Sequence, residues 1–263
     1  MKQLIIFLSI SIILTACEQG TKPVQEVEDD YLPLEIGNYW IYKTYEIDPN
    51  SILVPNTTNI DSVVIEEKYE LKSLMAYKAI VYRQKAPIDT LIFGKWKKEI
   101  HQLFYDKNAD IPFMQNTWFR IADLEQANWH IYNTIRVNID FDFFGDSIKV
   151  DADYTFNGEY IGKETLPIGT NDVLCSKYTV KPDRRFRFKY IFNESSPPDT
   201  STITVTCKQF IHRWFSKQIG IIRYQQDPYS YVYAAKPVVP SFPGRTESRN
   251  GYVMELMKFG LKQ

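Results

Sequence analysis

The chain has 263 residues and is almost electrically balanced, with 31 lysines and arginines against 32 aspartates and glutamates. A net charge of −1 gives no reason to expect nucleic acid as a partner, because proteins that bind it neutralise phosphates with an excess of basic side chains. Aromatic residues make up 15% of the chain, which is more than a core needs in order to be apolar.

The first 16 residues are typical of a secretory signal peptide. Lys2 precedes an uncharged run from Leu4 to Leu14, and small residues lead to Cys17. Such a run makes a helix of roughly 16 Å, about half of the ~30 Å that a spanning helix must cross. The tetrad Leu14-Thr15-Ala16-Cys17 resembles the lipobox of bacterial lipoproteins, which implies cleavage before Cys17 and its modification with acyl chains such as palmitate. The alternative is an ordinary secretory peptide with a chance cysteine.

The resemblance implies a lipoprotein of the cell envelope, held on a membrane by the lipid on Cys17, with the outer membrane as the expected location and the leaflet left open. Residues 17–30 follow as an acidic segment in which five carboxylates outnumber the single Lys22. Because this segment lacks apolar periodicity, we predict a flexible tether between the anchor and the domain.

Residues 31–263 are predicted to form a single β domain, and its clearest element is a hairpin. Between Ile135 and Phe143 the odd positions are apolar and the even positions are polar. A turn sequence at residues 144–147 separates this run from a second alternating run, from Ile148 to Phe156. Period-two alternation across a short glycine-containing turn predicts two paired strands with one apolar and one wet face.

Further segments rich in β-branched and aromatic residues have turn clusters between them, as at Lys236 to Asn250. They are Asn38–Ile47, Ser62–Glu67, Tyr77–Arg83, Thr90–Trp96, Glu99–Tyr105, Leu174–Lys181, Arg185–Phe192, Thr202–Trp214, Gly220–Gln225 and Tyr252–Phe259. A short helix is predicted only at Ile121 to Ala127. The pattern therefore predicts an all-β fold with minor α content, built as a large curved antiparallel sheet, an open β-barrel or a sandwich.

Three segments resemble a group of uncharacterised β-rich lipoproteins of the Bacteroidetes: Tyr31–Tyr42, Lys163–Val180 and Trp214–Gln225. Proteins of this kind are similar to LolA-like and LppX-like open barrels. That likeness implies a curved sheet around an apolar cavity, and some members of the wider group carry lipids. Residues 171–174 depart from the pattern, because an aromatic residue is expected to close that turn. Within these segments we expect positive φ at three glycines that precede strands, Gly37, Gly169 and Gly220.

Catalytic and metal-binding patterns are absent from the sequence. His101, His130 and His212 are widely spaced, and there is no Cys-x-x-Cys pair, nucleophile-elbow serine or phosphate-binding glycine loop. Four aspartates of the hairpin could gather around calcium, but the period places them on its wet face: Asp140, Asp142, Asp151 and Asp153. We therefore expect a non-enzymatic protein with no catalytic residue, metal or cofactor.

With Cys17 lipidated, two cysteines remain in the mature chain. Cys175 and Cys207 could form a disulfide between neighbouring strands in an oxidising compartment. The alternative is a pair of buried free thiols.

The aromatic content allows two functional classes. In the first, a lipid or other apolar molecule occupies the concave side of the sheet, with a candidate lining of Phe141, Phe143, Tyr154, Phe156, Phe186 and Phe188. In the second, exposed rings make the domain an interaction module for an envelope protein or a glycan. A third reading assigns most of these rings to the filling of a large β core.

Overall fold

The computed structural model describes residues 30–104, 117–143, 146–192, 199–239, 242 and 244–262. The predicted signal peptide, Cys17 and the predicted tether up to residue 29 lie outside these ranges. Over the described ranges, no helix has the length and apolar character needed to cross a membrane.

Fifteen antiparallel strands of the described chain join in one sheet. Their bounds are β1 Tyr39–Ile47, β2 Asn59–Leu71, β3 Leu74–Arg83, β4 Ala86–Trp96, β5 Glu99–Phe104, β6 Thr117–Asp123, β7 Asn128–Phe143, β8 Asp146–Ile168, β9 Asn171–Phe192, β10 Asp199–Lys208, β11 Ile211–Ser216, β12 Gly220–Gln226, β13 Tyr229–Lys236, β14 Arg245–Arg249 and β15 Gly251–Gly260.

The long strand β9 is the branch point of the sheet. One of its edges pairs with β8, which in turn pairs with β7. The other edge pairs with β11 near its start and with β10 along its second half. From β11 the sheet continues through β12, β15, β1, β2, β3, β4 and β5 to β6, and from β10 it continues through β13 to β14.

The longer branch curls until β6 meets β7 and β8. The Trp129 indole N–H donates to the Arg120 carbonyl at 3.0 Å, and the ring centroids of Phe119 and Phe156 are 5.6 Å apart. Strand twist accumulates over many strands, so a sheet of this width closes toward a barrel. The result is a curled half-barrel, and the predicted large curved antiparallel sheet is confirmed.

The predicted short helix at Ile121–Ala127 is wrong. Residues Ile121 to Asp123 complete β6, and a bend follows. The Asp123 carboxylate accepts hydrogen bonds from the backbone N–H groups of Glu125 and Gln126 at 3.0 and 2.9 Å. A side chain that binds the backbone two and three residues ahead favours a turn over a continuing helix.

The predicted hairpin of β7 and β8 is confirmed, but the predicted face of β7 is wrong over half of its length. Thr134 lies opposite the buried Tyr154, whereas Ile135 lies opposite Asp153 and is 71% exposed. A bulge with positive φ at Asn138 then shifts the register. One inserted residue reverses which positions of a strand face inward. Before the bulge the even-numbered positions of β7 therefore face inward, although the odd-numbered positions carry the apolar residues.

Two hydrophobic cores lie on the inner face of the sheet. The first core lies beneath the long branch and includes Leu32, Trp40, Ile65, Phe93, Trp129, Tyr178 and Phe215. The second core lies beneath β8, β9 and β10 and consists of Phe119, Val150, Ala152, Tyr154, Phe156, Phe186, Phe188, Ile203, Val205 and Val239.

The glycine conformations expected from the sequence are confirmed. Gly37, Gly169 and Gly220 have φ values of +92°, +59° and +108°. At Gly220 a Cβ atom would also lie 3.1 Å from the indole nitrogen of Trp40. The glycine therefore permits both the turn into β12 and the close approach of the first strand.

Candidate cavity in the curled sheet

A cavity of about 480 Å³ lies in the first core, on the concave side of the long branch. Strands β1 to β5, β11, β12 and β15 contribute to its wall, together with the segment that precedes β1. Most of the wall is apolar, formed by Leu32, Leu34, Trp40, Val63, Ile65, Val81, Ile88, Leu91, Phe93, Ile221 and Met254.

Polar side chains complete the wall: Tyr42, Asp61, Arg83, Asp89, Gln102, Arg213, Tyr224, Gln226 and Tyr252. The strand register separates many of them from the apolar wall. Trp40 pairs with Val63, and one step further along the same face Tyr42 pairs with Asp61, which pairs with Arg83 on β3. The cavity is therefore amphipathic, with an apolar region near Trp40 and a polar region near Asp61.

Asp61 and Arg83 form a two-point ion pair in the polar region. The Arg83 Nε and Nη2 atoms lie 2.8 and 2.9 Å from the two carboxylate oxygens, and the Thr44 hydroxyl donates to the same carboxylate at 3.0 Å. The Asp61 side chain is buried, whereas that of Arg83 is about one-third exposed. Because its oxygens are satisfied by these donors, the carboxylate is a fixed part of the wall.

Arg213 on β11 is the most deeply buried cation of the cavity wall, with 7% of its surface exposed. It donates a hydrogen bond to the Gln102 side-chain oxygen at 3.0 Å, across from β5. Its guanidinium also packs on the Tyr224 ring, 5.2 Å from the centroid. Burial lowers the pKa of Arg213, which shows that the site destabilises the charged form.

Three tyrosines line the cavity, of which Tyr42 is buried and Tyr224 and Tyr252 are half-buried. The Tyr42 hydroxyl donates to the Ile221 carbonyl at 2.9 Å, and burial raises the pKa of this phenol above its ordinary range. Tyr224 and Tyr252 meet edge to face with centroids 6.3 Å apart, and burial also raises their pKa values. All three are therefore neutral hydrogen-bonding groups at physiological pH.

The candidate lining residues from the sequence lie elsewhere. Tyr154, Phe156, Phe186 and Phe188 come together as expected, but they pack in the second core, and none of them lines the cavity. Tyr154 and Phe186 meet edge to face at 5.7 Å. The side chains of Phe141 and Phe143 lie outside the described residues.

The predicted disulfide is not formed. Cys175 and Cys207 are both free and buried, which is the alternative that the sequence left open. Cys207 pairs with Arg184, nine residues along β9 from Cys175. At about 3.3 Å per residue the two thiols are roughly 30 Å apart, far beyond disulfide distance.

The three histidines lie outside the cavity wall. His101 and His130 contact Glu99 and Asn157. His212 lies between the Thr179 hydroxyl at 2.8 Å and an Asp227 oxygen at 3.0 Å, a contact across strands that no sequence motif signals. The Thr179 side chain is buried, so a substrate would not reach its hydroxyl. The hydrogen bond between Thr179 and His212 instead links β9 to β11.

The hairpin aspartates whose side chains are described lie beside basic residues, and the side chain of Asp142 lies outside the described residues. Asp140 pairs with Lys149, while Asp151 and Asp153 lie opposite Arg187 and Arg185 in the register. Within the described part of the chain, no group of three His, Cys, Asp or Glu side chains is arranged to hold a metal ion.

The end of the predicted tether belongs to the folded domain. The Asp30 carboxylate accepts a bond from the Lys95 ammonium at 2.8 Å, and its carbonyl accepts one from the Gln218 N–H at 2.6 Å. Leu32 and Leu34 then enter the first core. The segment just before β1 thus forms part of the cavity wall.

No protein-family model and no curated protein matches the chain. Among solved structures, it is similar to a "putative lipoprotein" from Parabacteroides distasonis, with 14% identity, a TM-score of 0.42 and coverage of 88% of this chain and 98% of that one. It is also similar to a "putative exported protein with YmcC-like fold" from Bacteroides fragilis, with 13% identity, a TM-score of 0.38 and the same two coverages.

A third similar structure is the hypothetical lipoprotein YmcC from Escherichia coli. It has 12% identity and a TM-score of 0.28, with coverage of 89% of this chain and 90% of that one. None of these three proteins is described as LolA-like or LppX-like. At scores this low the likenesses carry no conclusion about the function of the chain.

Proposed function

We propose that this protein is a lipid-anchored component of the cell envelope that binds a lipid or another small apolar molecule in the cavity of its curled sheet. The observation that carries the proposal is the cavity of about 480 Å³ with mainly apolar walls. Pockets that bind small molecules have volumes of roughly 300 to 1,000 Å³ and are mostly apolar, with a few placed polar groups.

The packing of the first core supports this proposal. Side chains that line a cavity make fewer contacts with one another than close packing would give them, which reduces stability. The second core of the same sheet is packed with aromatic and branched residues. A cavity kept in the first core is therefore expected to serve a ligand.

Native mass spectrometry tests the binding proposal. The mature chain from residue 17, with Cys17→Ser to prevent lipidation, would be purified from the periplasm without detergent. We expect a fraction of the protein to carry one small apolar molecule. Val63→Phe, which extends a ring into the cavity, should lose this mass, whereas Val205→Ile in the second core should keep it. Equal loading of both variants would contradict the proposed site.

The anchor has a separate test. We expect the wild-type chain to partition with membranes and its first peptide to begin at Cys17 with acyl mass attached. The mature Cys17→Ser chain, without residues 1–16, should remain in the aqueous fraction. Membrane partition of this variant would refute lipid anchoring without bearing on the cavity.

A role as an interaction module is the second candidate. Ile135 and Val137 are 71% and 64% exposed on the outer face of β7, and Trp96 is 53% exposed on β4. Exposed apolar side chains of this size are typical of contact surfaces when they gather in one patch. Loss of a specific partner on Ile135→Lys, with an empty cavity in the native protein, would favour this function over ligand binding.

A further inference from the structure

We infer that the ligand of the cavity carries an anionic head group, a carboxylate or a phosphate, that Arg213 binds inside the sheet. This inference rests on the proposed function and adds the chemistry of the ligand to it. The evidence for the anionic head group is the set of side chains around Arg213.

The guanidinium of Arg213 has more donors than the protein uses. A guanidinium offers five N–H groups. Among the described residues, the one side-chain hydrogen bond found for Arg213 goes to the neutral Gln102 amide. The guanidinium also contacts the face of the Tyr224 ring. Both partners also line the cavity. Donors remain for a molecule that occupies this space.

Several partly buried arginines of the described chain pair with carboxylates, whereas Arg184 donates to the neutral Gln209 side-chain oxygen at 3.0 Å. Arg83 forms a two-point pair with Asp61, and Arg120 contacts both Glu99 and Asp123. Arg213 is more deeply buried than either, yet no described carboxylate pairs with it. An unpaired charge removed from water is strongly unfavourable, so this site gains most from an anion supplied from outside.

Two neighbours hold the guanidinium in place for such an anion. Gln102 reaches it from β5, and Tyr224 lies directly opposite it in the pairing of β11 with β12. Because these contacts already orient the Arg213 guanidinium, little side-chain freedom is lost when a carboxylate or phosphate binds it at two points. Arg213 and its neighbours therefore form a prepared anion site within an otherwise apolar wall.

The register places apolar surface beyond this site. Tyr224 pairs with Met254, and toward the start of β12 the wall continues with Ile221 and then Trp40, whose indole binds the Ile219 carbonyl. Leu32 and Ile65 enclose the same region. An alkyl chain attached to the anion would lie against these side chains, so the geometry fits an amphiphile with a charged head and an apolar tail.

Three ligands of equal chain length test the inference: 1-decanol, decanoate and decyl phosphate. The mature chain with Cys17→Ser would be refolded from denaturant to remove any bound molecule, and affinities would be measured by calorimetry. We expect at least one anionic ligand to bind roughly 10- to 100-fold more tightly than decanol, as for a charge-assisted hydrogen-bonded pair. Whichever of the two anions binds more tightly identifies the head group.

The variants separate this inference from the proposed function. Arg213→Met should remove the preference for the anion and leave decanol binding unchanged, whereas Arg213→Lys should retain part of it. Arg187→Met, on the exposed face of β9, is the matched control and should change neither affinity. Equal binding of decanol and both anions by the wild type would overturn the head-group inference alone. Failure of all three ligands to bind would overturn the proposed function as well.

If Arg213→Met does not fold, Arg213→Gln, which is polar but uncharged, takes its place. An anion preference that Arg213→Gln leaves at full strength would show that the charge of another group is recognised. The inference would then be wrong.

Discussion

The first and second cores are built from the same residue types on the same sheet, but the cavity described above is lined by the first, whereas the described side chains of the second are buried against one another. In the second core, neighbouring strands place Tyr154, Phe186 and Ile203 against one another, with almost no exposed surface. In the first core, side chains from eight strands surround about 480 Å³, and Arg213 donates a hydrogen bond to Gln102 from a different part of the wall. We therefore expect ring truncation and added volume to cost more in the second core than at the cavity wall.

Truncation of a large ring should show the largest difference between the cores. Phe186→Ala in the second core is expected to lower the free energy of unfolding by about 3 to 5 kcal/mol, since it removes contacts on all sides. Phe93→Ala should cost about 1 to 2 kcal/mol less, because this ring already faces the cavity. Urea unfolding measures both, and equal losses would mean that the space beside Phe93 is filled.

A methyl group at Gly158 on β8 should disturb the packing of the Trp129 indole on β7. A Cβ atom there would lie 2.0 Å from Cε2 of the buried Trp129 indole. We expect Gly158→Ala to destabilise the protein by about 1 to 3 kcal/mol through overpacking. Gly169→Ala is the control, because its φ is +59° but no atom lies within 4 Å of the new Cβ. It should cost about 1 kcal/mol from backbone strain alone.

Added volume should be tolerated in one core and penalised in the other. Val205→Leu in the second core is expected to cost about 1 to 3 kcal/mol, because the site is already packed. Val63→Leu, at the cavity wall, should change the free energy of unfolding by less than about 0.5 kcal/mol. A matching penalty at Val63 would argue against open space beside it.

The last comparison concerns the thiols. Burial, with a contribution from Glu164, raises the pKa of Cys175 to about 11. The unfolded chain therefore loses this proton first as the pH rises, and the stabilising contribution of the neutral thiol declines between pH 9 and 11. Unfolding free energies of the wild type and Cys175→Ala should converge over this range. Rapid reaction of the native thiols with a disulfide reagent at about pH 8 would contradict their burial.

Local patterns predicted much of the sheet. Runs of β-branched and aromatic residues between turn clusters identified β1 to β5, β12 and β15 to within several residues. Prediction failed where long-range pairing decides the structure. Pro182 and its polar neighbours look like a turn but lie within β9, where Pro182 pairs with the buried Phe156. Conversely, β14 lies in a segment rich in turn residues and is formed by pairing with β13.

The candidate site was less accessible to sequence reasoning than the fold. Arg213 and Gln102 are 111 positions apart, and no local motif indicates that β5 and β11 face each other across a cavity. The aromatic side chains singled out from the sequence were predicted to line a ligand cavity, whereas described ones such as Tyr154 and Phe186 pack on one another in the second core. Their periodicity shows which face they occupy, but it does not show whether the space in front of that face is filled.

A crystal of the mature domain soaked with 1-bromodecane gives the most direct test of the ligand site. The anomalous signal of bromine locates the molecule without any assumption about affinity. We expect a bromine peak in the first core, enclosed by Trp40, Val63 and Phe93. A peak only among the rings of the second core or on the outer surface, with the first core closed, would contradict it.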